Sequence, residues 1–333
     1  MERSLRSVPA PRSGRGGGVT GLLSTTYTVD PWDPGYGVAR GDELDGRESS
    51  ARLDLGVELR PDEWRPLTPG LDTPTPGSVL FLDGVQRIDA RVWRHGAEPE
   101  PSPGVLASVA VGLVRCDGAA QIVGVAVDRG LFAEAGDDIV TRHARYTYRH
   151  TPGGLDKLTF GVTRRMSELE VEVANAWRQD SDVEDDLLVV DGPLRGRTHL
   201  ARTVGYVKTH QKSYLQPDQA KVVAALEPGQ RSPVFAMGTS WERRSWYLRL
   251  PGASNAPWSA IVRLECSADL PIDDAVTLAD VTARVLPALA SSPHKDPRAP
   301  QNLVPIGGLE RQLRHRLGDA ALLYRSLRGA LAA

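Results

Sequence analysis

Two aspartates each end an apolar run and precede a glycine. Residues 78 to 83 read SVLFLD, and residues 186 to 191 read DLLVVD. Asp-Gly is ordinary turn chemistry, because both residues tolerate the backbone angles that a turn needs. The same pattern also brings Asp83 and Asp191 to the ends of buried strands, where carboxylates can hold a metal ion that acts on phosphate esters. Both aspartates are therefore candidate metal ligands and candidate catalytic residues.

A helix between these two runs offers a third carboxylate. Over residues 155 to 178, apolar residues recur at helical spacing. They are Val162, Met166, Leu169, Val173 and Trp177. At about 100° per residue, Glu170 falls about 80° from Val162, beside the apolar face, whereas Glu168 and Glu172 fall on the solvent side. Glu170 is the predicted third ligand and catalytic residue, and the alternative is that all three glutamates only solvate a surface helix.

Such a cluster predicts its own cofactor. Carboxylates at close quarters repel one another, so the arrangement is stable chiefly when divalent cations neutralise it. Hard oxygen ligands suit Mg²⁺ or Mn²⁺. Two such ions ~3.5–4 Å apart can activate a water and stabilise the leaving oxygen of a phosphodiester.

Basic residues follow Asp191 and suit a phosphate-containing substrate. The predicted DNA contacts are Arg195, Arg197, Lys208, His210 and Lys212. Lys208 and His210 share one face of a predicted strand, because their spacing is two. The alternative is an exposed basic sheet edge, which such residues protect from aggregation.

The composition is that of a globular protein without membrane segments. Of the 333 residues, 41% are apolar and 25% are charged. The formal net charge of −2 gives no global attraction to nucleic acid, so any such binding needs a local patch. Two cysteines exclude a thiolate zinc cluster. No run reaches the ~18 apolar residues of a membrane span and no apolar signal core begins the chain, so we expect a cytoplasmic protein.

The order of predicted elements indicates an α/β fold. Short-linked strands from residue 78 predict an antiparallel meander, followed by the helix, the strand ending at Asp191, a short helix, another strand and further helices, the last two near 272 to 290 and 307 to 330. This is the element order of a ribonuclease-H-like mixed sheet flanked by helices. We expect a flexible N-terminus over residues 1–20, an N-terminal extension over 21–77 and the main domain over 78–333, with an extra β-rich insertion at about 231–266.

Three segments resemble the NurA nucleases. They read FLDGVQRIDARVW, LLVVDGPL and VGYVKTHQKSYL, in this order and with a helix between the first two, and the resemblance covers about residues 78 to 320. It implies a ribonuclease-H-like core, Mn²⁺- or Mg²⁺-dependent exo- and endonuclease action on DNA, a homodimer, and partnership with a HerA-type hexameric ATPase in DNA end processing or repair. Asp83 and Asp191 match the family's metal-binding aspartates, and Glu170 matches its helical glutamate.

The C-terminal segment departs from that family. A histidine is expected in a proline-rich segment before the last helix, and glycine stands at that place in APQNLVPIGGLERQLRHRLGD. Asn302 or Glu310 could substitute for it. Glu310 lies beside the apolar stripe of its helix and is therefore a further predicted metal ligand.

Three functions from different classes remain open at this level. The first is a metal-dependent DNA nuclease. The second is a catalytically inactive NurA-like module for DNA binding or ATPase docking, which the altered C-terminal segment favours. The third is a hydrolase that uses paired carboxylates on a sugar. The basic residues after Asp191 argue against a sugar, because it has no charge for them to meet.

Overall fold

The computed structural model describes residues 51–95, 100–180, 185–208, 214–252 and 258–331. Its strands are β1 (Arg52–Asp54), β2 (Ser78–Arg94), β3 (Ser102–Cys116), β4 (Ala120–Ala133), β5 (Ile139–Val140), β6 (Arg145–His150), β7 (Asp186–Asp191), β8 (Thr203–Val207), β9 (Phe235–Gly238), β10 (Glu242–Arg249) and β11 (Ile261–Ser267). Its helices are α1 (Leu155–Asp180), α2 (Pro217–Ala224), α3 (Ile272–Val285), α4 (Val304–Arg316) and α5 (Ala320–Leu331), with 3₁₀ turns at Pro61–Glu63 and Leu286–Leu289. The expected flexible N-terminus and residues 21–50 of the extension lie outside the described residues.

One large mixed sheet, flanked by helices, organises the described chain, which confirms the α/β class. Its strand order is β1-β9-β10-β11-β8-β7-β2-β3-β4-β6-β5. The predicted meander is confirmed, because β2, β3 and β4 pair antiparallel in sequence order. The strand β7 then pairs parallel to β2, and β8 pairs parallel to β7. The strands of the expected insertion, β9 to β11, continue this same sheet beyond β8.

The strand that carries Asp83 is much longer than the sequence indicates. We expected it to end at Asp83, but β2 runs on to Arg94 and pairs with β3 along its length. Its parallel partner β7 is short, and their last pair joins Leu82 to Val190. Asp83 therefore lies where β2 outlasts β7, and Asp191 is the last residue of β7.

The sheet separates two apolar cores. Side chains alternate between the faces of a strand, so Phe81 and Val189 pack with helix α4, whereas Leu82 and Val190 pack with helix α1. The predicted helix over 155 to 178 is confirmed as α1. The carboxylates of Asp83 and Asp191 have the same parity as Phe81 and Val189, and they belong to the α4 face.

Two helix predictions are wrong. Residues 192 to 202 form turns and bends instead of the short helix expected there, because the segment is rich in glycine and proline and lacks a continuous apolar stripe. The last predicted helix is broken into α4 and α5. Gly318 stands at the break with a φ of 80°, a left-handed conformation that favours glycine.

The described helices were also compared with the requirements of a bilayer. None of those within the described ranges combines the length and the apolar character that crossing a membrane requires.

Candidate metal centre

Three carboxylates converge on the α4 face of the sheet. Asp83, Asp191 and Glu310 each offer an oxygen, and these atoms all lie within 4.8 Å of one another. The parallel register of β2 and β7 sets the two aspartates side by side, one residue past the Leu82–Val190 pair. Asp83 is 3% exposed, whereas the side chain of Asp191 retains 15% of its exposure. The cluster is therefore buried, and of these two aspartates Asp191 is the one nearer to solvent.

Helix α4 delivers the third carboxylate. Ile306, Leu309 and Leu313 recur at helical spacing and pack into the core beneath the sheet. Glu310 follows Leu309 and lies beside this apolar stripe, so burial of the stripe carries its side chain under the sheet, where it is buried. The structure thus brings Glu310, a predicted metal ligand, together with the two predicted aspartates.

Two cations hold these carboxylates. The Lys208 ammonium donates to Asp191 Oδ2 at 2.6 Å and to Asn302 Oδ1 at 2.7 Å. The Arg298 guanidinium donates to both oxygens of Glu310, at 2.8 and 2.6 Å. Two hydrogen bonds of this kind fix the plane of a carboxylate as well as its position.

Asp296 joins the two halves of the network. It accepts hydrogen bonds from Arg298 at 3.1 Å and from the amide nitrogen of Asn302 at 2.6 Å. The segment between α3 and α4 therefore contributes Asp296, Arg298 and Asn302 to the surroundings of the site. Sequence analysis considered Asn302 only as a substitute ligand and missed the other two. Their charges in an otherwise apolar, proline-rich segment were the available signal.

The electrostatics favour an ionised cluster. Burial raises the pKa of Glu310, but the hydrogen bonds from Arg298 and the positive charges of Lys208, Arg298 and Arg314 outweigh burial, so the pKa lies below its usual value. Burial and the charge of Asp191 raise the pKa of Tyr206 well above its usual value. Its hydroxyl consequently stays protonated and donates to the Gln301 carbonyl oxygen at 2.7 Å.

Glu170 is placed differently from its prediction. It is buried, but it lies on the α1 side of the sheet, where it forms an ion pair with Arg197. A Cβ built on Gly84 would lie 2.8 Å from Glu170 Oε1 and 3.0 Å from Met166 Cγ. Gly84 therefore faces α1, and its neighbour Asp83 faces away from it. The structure brings Asp83 and Asp191 together with Glu310 and leaves Glu170 outside this group.

The predicted DNA contacts are divided. Arg195 is exposed. Arg197 is buried in the ion pair with Glu170, and Lys208 is buried in the carboxylate cluster. The prediction that these two side chains form an exposed basic patch is therefore wrong, because ion pairing with buried carboxylates draws both inward. His210 and Lys212 lie outside the described residues.

Comparisons with known proteins do not identify a relative: no family model matches the sequence, and no curated protein matches it. The chemistry of the site is therefore interpreted from its own residues. Three ionised carboxylates from two neighbouring strands and one helix can bind a divalent cation.

Proposed function

We propose that the protein is a divalent-metal-dependent deoxyribonuclease with a ribonuclease-H-like core. The single observation that carries this proposal is the convergence of Asp83, Asp191 and Glu310 within 4.8 Å, under one sheet and at the end of a parallel strand pair. Two of these residues belong to the segments that resemble the NurA nucleases, and the third comes from the segment that departs from them.

The sheet supports the fold part of the proposal. Its five central strands stand in the order β4-β3-β2-β7-β8. The first three along the chain are antiparallel, and β7 and β8 are added parallel after helix α1. This is the arrangement expected for a ribonuclease-H-like core, with an acidic residue on its first strand and another at the end of its fourth.

The donor set fits Mg²⁺ or Mn²⁺. All three ligand candidates are carboxylates, the hard oxygen ligands that these ions favour. Oxygens on opposite sides of a Mg²⁺ ion are about 4.2 Å apart, and the three oxygens here already lie within 4.8 Å of one another. A bound ion would lower the pKa of a coordinated water and stabilise the leaving oxygen of a phosphodiester.

The residues of the chain have separate tasks in this proposal. Asp83, Asp191 and Glu310 bind the ion. Arg298 holds both oxygens of Glu310, which limits the rotation of that ligand. Lys208 fixes Asp191 in the same way. Supporting hydrogen bonds of this kind orient ligands and tune the affinity of a metal site.

A basic surface beside the cluster supports a polyanionic substrate. The turn of α4 that follows Glu310 carries exposed Arg311, Arg314, His315 and Arg316. Part of this charge complements the helix dipole, since cations are favourable near a helix C-terminus. Four basic residues within two turns of a metal ligand nevertheless suit the phosphates of a nucleic acid. Exposed Arg195 lies just after the end of β7, on the chain that follows Asp191.

The choice of DNA and of partners rests on the resemblance to NurA nucleases. We propose that the protein acts in DNA end processing or repair, as a homodimer and together with a HerA-type hexameric ATPase in the cytoplasm. These parts of the proposal follow from segments of sequence and not from the geometry of the site.

One observation favours a second candidate, a catalytically inactive module that binds DNA or docks on an ATPase. Lys208 and Arg298 already neutralise part of the carboxylate charge, so this cluster is stable without a metal. A module of that kind would neither cleave DNA nor bind divalent ions at the cluster.

Cleavage of linear DNA with Mn²⁺ or Mg²⁺ tests the proposal, with the purified protein and the variant Asp83→Asn. We expect metal-dependent cleavage that EDTA abolishes and that the variant loses by several orders of magnitude, because asparagine keeps the shape of the ligand but not its charge. The matched control is Asp218→Asn, an exposed aspartate on α2, which should cleave as the parent does. A parent protein that cuts no DNA with either ion would refute the nuclease function.

A further inference from the structure

The position of Lys208 is unusual for a lysine. It follows strand β8 directly and is only 8% exposed. An ammonium group is strongly hydrated, so its burial is unfavourable unless charged or polar oxygens replace the water. Lys208 has two such oxygens in Asp191 Oδ2 and Asn302 Oδ1, at 2.6 and 2.7 Å. Its surroundings therefore resemble those of a small bound cation.

The charges of the cluster are incompletely balanced. Four carboxylates belong to the connected network, from Asp83, Asp191, Asp296 and Glu310. Two cations oppose them, from Lys208 and Arg298. The formal charge of the network is thus minus two, which a single divalent ion would neutralise. A second divalent ion would leave an excess of positive charge in a buried place, which is unfavourable.

The number of ligands leads to the same result. A site for two ions ~3.5–4 Å apart needs carboxylates that bridge the ions and others that bind each one separately. Here the metal-ligand group contains three carboxylates. One of them, Asp191, already shares an oxygen with Lys208, and Glu310 uses both of its oxygens in hydrogen bonds to Arg298.

We propose that Lys208 is the resident cation of this site and takes the place of a second metal ion, so that the protein binds one divalent ion per chain. This inference rests on the proposed metal centre and specifies its composition. The ammonium neutralises Asp191 as a second ion would, but it is covalently attached and needs no ion from solution.

Counting bound Mn²⁺ in the full-length protein tests this inference without any measurement of activity. Calorimetric titration gives the number of ions per chain, and the electron paramagnetic resonance signal of free Mn²⁺ gives the same number independently. We expect one ion in the parent. We expect two ions in Lys208→Met, where the second binds more weakly, because methionine keeps much of the apolar length of the side chain and removes its charge.

A matched control and a second variant guard against trivial results. Lys221→Met removes the charge of an exposed lysine on α2 and should leave the number of bound ions at one. Lys208→Gln replaces Lys208→Met if the latter does not fold, as judged by its melting transition. Two ions in the parent would overturn the inference, as would one ion in both the parent and the folded Lys208 variant.

The possible outcomes separate this inference from the proposed nuclease function. One bound ion in the parent and two in the Lys208 variant, without DNA cleavage by the parent, would support the inference and refute the function. Two bound ions in an active parent would do the reverse. A parent that binds no Mn²⁺ would refute both.

Discussion

Single residues decide which side of the sheet carries the chemistry. Glu170 and Glu310 were both predicted ligands, and each lies beside the apolar stripe of its helix. They differ in their partners. Glu310 meets the two aspartates, whereas Glu170 meets Arg197 across the sheet. The two glutamates are therefore expected to respond differently to the same substitution.

We expect Glu310→Gln to lose metal affinity and Glu170→Gln to lose stability. Glutamine at position 310 removes a charged ligand, so Mn²⁺-dependent stabilisation of the folded state should shrink and cleavage of DNA should fall by several orders of magnitude. Glutamine at position 170 leaves the buried Arg197 without its carboxylate partner, which costs about 3 kcal/mol. Its activity per folded molecule should stay close to that of the parent.

Melting curves with and without Mn²⁺, together with a cleavage assay, measure both effects. Each variant is the control for the other, because both change a buried glutamate on a helix in the same way. The assignment of the site is wrong if Glu170→Gln folds normally and abolishes cleavage.

The same two residues show what sequence can predict about this site. An angular count along one helix identifies which glutamates face the protein interior, and both were identified in this way. It does not tell which face of the sheet the helix will cover. That choice depends on the pairing of β7 with β2 and on the packing of α1 and α4, which involve contacts distant in sequence. The partners of Lys208 and Arg298 depend on the same distant contacts.

At the scale of elements, close contact between α1 and β2 holds the sheet in register with its helix. Gly84 follows Asp83 and has no side chain between the strand and the helix. A Cβ there would lie 2.8 Å from Glu170 Oε1 and 3.0 Å from Met166 Cγ. Because the ion pair with Arg197 restrains Glu170, the neighbouring atoms cannot simply rotate away.

We expect Gly84→Ala to destabilise the protein by about 1–3 kcal/mol, as overpacking of a dense core does. The control is Gly308→Ala in α4, where a Cβ meets no atom within 4 Å. Alanine is favoured over glycine in a helix by roughly 0.5–1 kcal/mol, so this control should be neutral or slightly stabilising. Denaturant unfolding of both variants measures the difference. Equal stabilities would mean that α1 and β2 are less closely packed than the structure shows.

Strand lengths were the weakest part of the sequence-based prediction at this scale. The run SVLFLDG was expected to end at its Asp-Gly pair, yet β2 continues for eleven residues beyond Asp83. Asp-Gly favours a turn only when no neighbouring strand supplies hydrogen bonds, and β3 supplies them along the whole of β2. Local turn propensity was therefore overruled by pairing between strands, as is usual for weak local preferences.

At the scale of the whole molecule, the segment before residue 78 is part of the sheet. Strand β1 pairs with β9. Buried Arg231 connects this segment to the helices, because it contacts Glu58 at 2.8 Å and Asp280 at 2.6 Å. Residues 51–77 are therefore expected to unfold together with the sheet and not as a separate unit.

Trp64 is the largest apolar side chain that this segment contributes to the core. It is 7% exposed, and its ring lies 5.9 Å from that of Phe235 in strand β9. Its indole nitrogen donates to the Leu55 carbonyl oxygen at 2.8 Å, so both its apolar and its polar parts are satisfied. Removal of this ring would leave a cavity between the segment and the edge of the sheet.

We expect Trp64→Ala to lower the free energy of unfolding by about 3–5 kcal/mol, as other large-to-small changes of buried aromatic residues do. If residues 51–77 unfold with the sheet, the variant should keep a single melting transition at a lower temperature. The control is Trp93→Ala, since Trp93 is 59% exposed near the end of β2, and a surface substitution changes stability by about 0.5 kcal/mol or less. Calorimetry distinguishes the possibilities: a small early transition in Trp64→Ala, followed by unfolding of the rest at the parent's temperature, would show that the segment folds independently of the sheet that holds the carboxylate cluster.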